Sequence, residues 1–257
     1  MSMKQKKMVA VLAIISVSMS ITPKAYAMHI MEGYLSPVYC IAWGVLSIPF
    51  LVIGYLSIKR RLKENRKHIT LLAMAGAYIF VISSLKIPSV TGSCSHMTGT
   101  GLGAILFGPA AVSILGIIVL LFQAILLAHG GLTTLGANTF SMAIAGPLLS
   151  YGIYKLCIKL KMNRFVGVFL AAFFGDLFTY CITSFQLALA YPSAEGGVAA
   201  SVGKFLGVFA PTQLPLAILE GILTVLVMIA LRTYADQELK ILDPAMEGHQ
   251  KIERHGC

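Results

Sequence analysis

Gly99-Thr100-Gly101-Leu102-Gly103-Ala104-Ile105-Leu106-Phe107-Gly108-Pro109-Ala110 opens an apolar run that continues without a charge to Ala128. The run is about 30 residues long, more than the ~20 that one helix needs to cross a bilayer. Gly108-Pro109 interrupts it where a continuing helix would lose a hydrogen bond and clash with the proline ring. The reading is therefore two segments, a short one from Gly99 to Phe107 and a full helix from Ala110 to Ala128. The short one can approach membrane depth only if protein covers its ends.

Outward from this run, apolar spans extend from about Val38 to Ser57, Ile69 to Leu85, Thr139 to Leu160, Val166 to Ala190 and Val208 to Leu231. With 57% hydrophobic and 12% charged residues and a mean hydropathy of +0.83, the chain is too apolar for a soluble domain. Twenty Lys+Arg against ten Asp+Glu would point to nucleic acid in a soluble protein. Here the bases gather between spans and report topology instead. Lys59 to Lys67, Lys155 to Arg164, and Arg232 with Lys240 all belong on the cytoplasmic side. The first two clusters can share a side only if an even number of crossings separates them, which the split at Gly108-Pro109 supplies. The expected fold is all-α, a polytopic membrane protein with about seven membrane segments, its mature N-terminus outside and its C-terminus cytoplasmic.

The first 27 residues have the parts of a secretory signal. Lys4, Lys6 and Lys7 precede an apolar run from Met8 to Ile21, and Ala25-Tyr26-Ala27 is a small-residue cleavage site. The domain expectation is a leader over 1–27, a membrane-embedded metal-capture domain over 28–235 and a cytoplasmic tail over 236–257. Cleavage after Ala27 would leave Met28-His29 first in the chain. The freed Met28 amine, the His29 amide nitrogen and His29 Nδ1 would then form fused five- and six-membered chelate rings with three nitrogens near one plane. Before cleavage the Met28 nitrogen is an amide without a basic lone pair.

A fourth nitrogen is available on the same outer side. Between Lys86 and Gly99, small residues surround His96, and His129 follows in Ala128-His129-Gly130-Gly131. His68, His249 and His255 fall inside and read as solvated residues. Three chelating nitrogens and one imidazole favour a square-planar ion: nickel(II), copper(II) or low-spin cobalt(II) rather than tetrahedral zinc. Affinity of such a site should fall as solution is acidified through the histidine range near ~6.5.

Three stretches carry a resemblance: Met-His-Ile-Met-Glu-Gly-Tyr-Leu-Ser-Pro at 28–37, Ser-Cys-Ser-His-Met-Thr-Gly-Thr-Gly-Leu-Gly at 93–103, and Leu-Ala-His-Gly-Gly-Leu-Thr-Thr-Leu-Gly-Ala-Asn at 127–138. Over nearly the whole mature chain they resemble the cobalt/nickel substrate-capture subunits of energy-coupling-factor transporters, most closely the cobalt branch. The resemblance implies a seven-helix protein of the bacterial plasma or inner membrane that binds its metal through Met28, His29 and His96. It also implies partners: a small CbiN membrane protein, the transmembrane coupling protein CbiQ and the ATPase CbiO. The implied function is ATP-driven import of cobalt(II) for cobalamin biosynthesis. Nickel(II) import by the same family is the alternative, and a copper-binding membrane protein a more distant one.

The remaining polar residues refine this expectation. The chain has no Gly-x-x-x-x-Gly-Lys-Ser/Thr phosphate loop, so ATP would be hydrolysed by another chain and the chain itself is no enzyme. Ala73 and Ala77, four apart on one helix face, form a small-residue stripe that a partner helix can approach closely. Ordinary packing within the chain is the competing role. Glu32, His129 and Ser95 are candidates to orient the ligands from behind. Asp176 and Glu220 sit mid-span, where carboxylates are rare; either ligand orientation or interhelical hydrogen bonding would account for them. Asn138 and Gln213 lie near helix starts, where capping suffices. Cys40 and Cys94 leave open a disulfide or a soft copper(I) ligand.

A metalloenzyme would need an open coordination position with a nearby acid or base, and no His-Glu-x-x-His pattern occurs. A channel would need rings of like groups, and a planar N-terminal chelate holds its ion too tightly for flow.

Overall fold

The computed structural model describes residues 29–88 and 94–242. The expected leader over 1–27, Met28, and the tail histidines His249 and His255 lie outside the described residues. The chain is a helical membrane bundle. Its elements are α1 (Pro37–Glu64), α2 (His68–Ser84), a two-residue antiparallel ribbon of β1 (Ile87–Pro88) and β2 (Cys94–Ser95), α3 (Thr100–Phe107), α4 (Pro109–Leu127), α5 (Leu135–Asn138), a π-helix (Thr139–Ala145), α6 (Gly146–Lys159), α7 (Arg164–Ala190), α8 (Gly197–Tyr234) and α9 (Asp236–Leu242). Among the described residues, five stretches are long and apolar enough to cross a membrane: Pro37–Glu64, Pro109–Leu127, Leu135–Lys159, Arg164–Ala190 and Gly197–Tyr234. The 17-residue α2 is apolar but shorter.

The run quoted above breaks where its chemistry demands. Gly108 takes φ 79°, a conformation that disfavours every residue with a Cβ, and Pro109 opens α4 at a first-turn position where no amide hydrogen is missed. All eight residues of α3 are buried, so protein covers this short helix as its backbone ends require. Small residues allow the close packing. A Cβ on Gly101 would lie 3.0 Å from Ala172 Cα on α7, and one on Gly116 would lie 2.3 Å from Ala143 Cβ in the π-helix.

One boundary differs from expectation. α8 begins at Gly197 rather than Val208 and runs 38 residues, with Pro211 and Pro215 inside it. Its length, about 57 Å at 1.5 Å per residue, exceeds the ~30 Å hydrocarbon layer. Lys204, inside this helix, donates to the Ser193 hydroxyl ahead of it.

The bundle has two chemically distinct ends. At one, Tyr39 donates to the Leu189 carbonyl and the Tyr191 hydroxyl to that of Tyr34. At the other, the Arg61 guanidinium caps the Phe107 carbonyl at the end of α3, Arg164 meets the Tyr154 hydroxyl, and Arg232 lies over the Phe165 ring. His68 sits at this basic end, buried, with Nδ1 2.9 Å from the Arg61 carbonyl. It is therefore not the solvated residue expected from its charged neighbours.

Candidate metal centre

Three segments converge at the end opposite those arginines. The first carries His29 and is held by its neighbour Ile30. The Ile30 N–H donates to Asn138 Oδ1 at 2.8 Å, while its carbonyl accepts from Asn138 Nδ2 at 3.0 Å and from the Thr134 hydroxyl at 2.6 Å. Asn138 thus satisfies both backbone groups of a buried residue, as a strand neighbour would. It is a clamp, a larger role than the capping expected of it.

The second segment carries His96. β2 delivers the chain to Ser95, whose hydroxyl pairs with that of Thr212 on α8 at 2.8 Å. Beyond the histidine, Glu220 of α8 accepts three hydrogen bonds: from the Thr98 N–H at 2.6 Å, the Thr98 hydroxyl at 2.8 Å and the Gly99 N–H at 2.9 Å. Gln213 Nε2 donates to the His96 carbonyl at 3.4 Å and to Asp176 Oδ2 of α7 at 2.5 Å. The two mid-span acids and Gln213 therefore belong to the support of this loop.

The third segment carries His129. α4 ends in left-handed Ala128, φ 46°, with the His129 N–H returning to the Gln123 carbonyl. A non-glycine in that conformation is strained, and the turn aims the ring inward.

The rings of His29, His96 and His129 are 3%, 0% and 1% exposed. Their centroids lie 4.4 Å (His29–His96), 4.5 Å (His29–His129) and 5.0 Å (His96–His129) apart. One ring nitrogen from each falls within 4.8 Å of the others, near the ~4.2 Å that separates nitrogens facing each other across an ion at ~2.1 Å. His29 Nδ1 is 2.5 Å from His96 Nε2. His96 Nδ1 is 2.8 Å from the Met97 carbonyl, which only accepts, so Nδ1 holds the proton and Nε2 presents its lone pair. Among the described residues, Nε2 of His29 and of His129 have no hydrogen-bond partner.

The structure brings the sequence candidates together unevenly. His29 and His96 meet as expected, and His129 stands as close to them as they stand to each other rather than behind them. Glu32 is exposed and accepts from the Thr133 N–H at 3.2 Å, fastening the N-terminal segment without touching a histidine. Ser95 anchors the loop to α8 instead of orienting a ring. Cys40 is a free thiol directed at the Leu35 carbonyl.

Burial pushes all three imidazoles below the ordinary 6.5: His29 well below, His96 to about 4 and His129 to about 3. Neighbouring His96 and His129 add to the shift at His29. The rings stay neutral, the form that binds metal, far below the range near ~6.5 read from sequence. The folded-state values are lower than the unfolded ones, so the unfolded chain binds more protons between about pH 6.5 and pH 4. Stability of the metal-free protein should fall on acidification through that window, checked by thermal unfolding in detergent at stepped pH. A flat profile would place the rings in water.

Asn138→Ala leaves the buried Ile30 N–H unpaired, at about 1–3 kcal/mol, while the Ile30 carbonyl keeps only the Thr134 hydroxyl. Cobalt(II) affinity measured by titration should drop by roughly tenfold to a hundredfold, with helicity unchanged. Unaltered affinity would show that the His29 segment is held by something else.

The family model described as CbiM, cobalt uptake substrate-specific transmembrane region, matches residues 29–238. The chain is 72% identical over 242 residues to the cobalt transport protein CbiM of Lachnoclostridium phytofermentans, covering 94% of this chain and 97% of that one. It is 64% identical over 216 residues to the cobalt transport protein CbiM of Chlorobium limicola, covering 84% and 85%. A crystal structure of a truncated transition metal transporter superposes with a TM-score of 0.69 at 30% identity, over 80% of this chain and 99% of that chain. With its helical bundle, its buried histidines and a family match over most of its length, the chain belongs to the CbiM cobalt uptake substrate-specific transmembrane family.

Proposed function

We propose that this chain is the substrate-binding membrane subunit of an ATP-driven energy-coupling-factor importer that captures cobalt(II) and supplies it for cobalamin biosynthesis. The observation that carries the reading is the cluster of three buried imidazoles at the end of the bundle opposite its arginines. The arginine-rich end is cytoplasmic by the bias of basic residues, so the metal site faces outward. Cleavage after Ala27 frees the Met28 amine, which together with the His29 amide nitrogen, His29 Nδ1 and His96 Nε2 supplies four nitrogens. His129, its ring centroid 4.5 and 5.0 Å from those of His29 and His96, stands close enough to add a fifth nitrogen. Such a donor set suits a square-planar or five-coordinate ion.

Metal analysis of the processed chain, purified after cobalt(II) exposure, tests this. About one cobalt per chain, with a visible spectrum of nitrogen ligation, is the expected result. Cobalt below stoichiometry together with full nickel loading would move the assignment to the neighbouring metal, and no metal at all would end it.

The ATPase and the coupling subunit are other chains in this reading, CbiO and CbiQ, with CbiN beside them. Ala73 and Ala77 are exposed on α2 next to Met74, which is 61% exposed, so their stripe is open to a partner helix in the bilayer. Replacing both with Leu should leave cobalt content intact and reduce co-purification with CbiQ severalfold. Undiminished co-purification would assign docking to another face.

A further inference from the structure

Ser83 of α2 and Gln123 of α4 are both 0% exposed, and Gln123 Nε2 donates to the Ser83 hydroxyl at 2.7 Å. That hydroxyl in turn donates to the Ile79 carbonyl, one turn back on α2. Gln123 Oε1 is buried without a hydrogen-bond partner among the described residues. An amide left half-satisfied in an apolar bundle is costly, and a leucine would fill the same space without that cost. Packing alone does not call for a glutamine here.

Gln123 has a second attachment. Its main-chain carbonyl accepts the His129 N–H at 3.1 Å, closing the turn through left-handed Ala128 that ends α4. One residue thus holds α2 with its side chain and the His129 turn with its backbone. α2 itself has two faces: Ile79, Ile82 and Ser83 are buried, whereas Ala73 and Ala77 are exposed. The buried face also meets the loop that carries His96. A Cβ on Gly99, which takes φ 68°, would lie 3.3 Å from Ile79 Cα.

We propose that Ser83 and Gln123 are positioning residues of the metal centre: their hydrogen bond ties the turn that carries His129 to α2, the helix whose opposite face bears the Ala73 and Ala77 stripe. The inference rests on the reading of the three imidazoles as the capture site. A shift of α2 is then passed to His129 through Gln123 and to the His96 loop through Gly99, so that one helix reaches two of the three ligand segments.

Diethyl pyrocarbonate, which acylates accessible neutral imidazoles, reads the tie in the metal-free, processed full chain, with the modified sites located by mass spectrometry. His129, 1% exposed, should react slowly in the wild-type chain and severalfold faster in Gln123→Leu and in Ser83→Ala, while His68 at the opposite end is unchanged. Cobalt(II) titration then shows whether the tie acts through the ring. Gln123→Leu should weaken binding about tenfold and reproduce the spectrum of His129→Ala, and it should cost nothing more when added to His129→Ala. Unchanged His129 modification in both variants, an equal rise at His68, or additive losses with His129→Ala would each overturn the tie and leave the pair as ordinary interhelical packing. Cobalt binding unaltered by His129→Ala would instead remove that ring from the capture site, a failure of the earlier reading that the modification rates do not share.

Discussion

His96→Ala is expected to weaken cobalt(II) binding by more than roughly 100-fold, since even partners that merely orient a metal ligand are worth 10- to 100-fold. The change removes Nε2, the one ring nitrogen whose lone pair is fixed by a hydrogen bond on the other side of the ring. The loop should survive it. Its anchors at Thr212, Gln213 and Glu220 are made by Ser95, by the His96 carbonyl and by Thr98 and Gly99, not by the imidazole. His96→Gln fills most of the same volume without a comparable ligand, so a parallel loss there excludes the effect of a cavity. His129→Ala should cost less, about tenfold, and change the visible spectrum by removing the fifth nitrogen. His68→Ala, at the opposite end of the bundle, should leave the spectrum untouched. If His129→Ala abolished binding while His96→Ala preserved it, the ligand assignment would be wrong even in a metal-loaded protein.

The features legible in the sequence are those set by neighbours along the chain. Gly108-Pro109 breaks the apolar run through local backbone chemistry, and the structure breaks there. Where membrane packing overrides local signals, the reading fell short. The span read from Val208 to Leu231 takes in only the later part of α8, whose helix starts at Gly197 and passes through Pro211 and Pro215. Prolines are tolerated when neighbouring helices take up the freed backbone groups. Residues whose partners are far along the chain were undervalued for a related reason. Asn138 meets Ile30 across 108 residues and Glu220 meets Thr98 across 122, and no local pattern announces either contact. His129 could be placed on the same side as His96 by topology, but the contact between their rings depends on how α4 packs beside the 96–99 loop.

The support of the centre is divided between two parts of the bundle. Thr212, Gln213 and Glu220 of α8 hold the His96 segment, whereas Asn138 and Thr134, preceding the π-helix, hold the His29 segment. Two imidazoles 2.5 Å apart at their nitrogens are thus mounted on separate parts of the bundle. A displacement of α8 relative to the π-helix would part them without unfolding either. That arrangement suits the proposed capture site, which would have to bind tightly and then let go.

Adding one alanine between Ala27 and Met28, with cleavage kept after Ala27, should be as damaging as losing His96. The proposed chelate needs the terminal amine one residue before His29, because only then do amine, amide nitrogen and Nδ1 close rings of five and six atoms on one ion. With the histidine third, a second amide nitrogen enters the plane and takes the position otherwise filled by His96 Nε2. The buried segment gives no slack to absorb the change, since Ile30 is fastened at both its N–H and its carbonyl. Cobalt(II) affinity should fall by more than roughly 100-fold by analogy with other losses at metal ligands, and the spectrum of any remaining complex should shift toward four nitrogens from one strand. His96→Ala added to the extended chain should then cost little more, because its ligand role is already gone. N-terminal sequencing must show the intended cut. If it does, and the extended chain binds cobalt as tightly as the natural one, the terminal amine is not a ligand and the three imidazoles hold the ion without it.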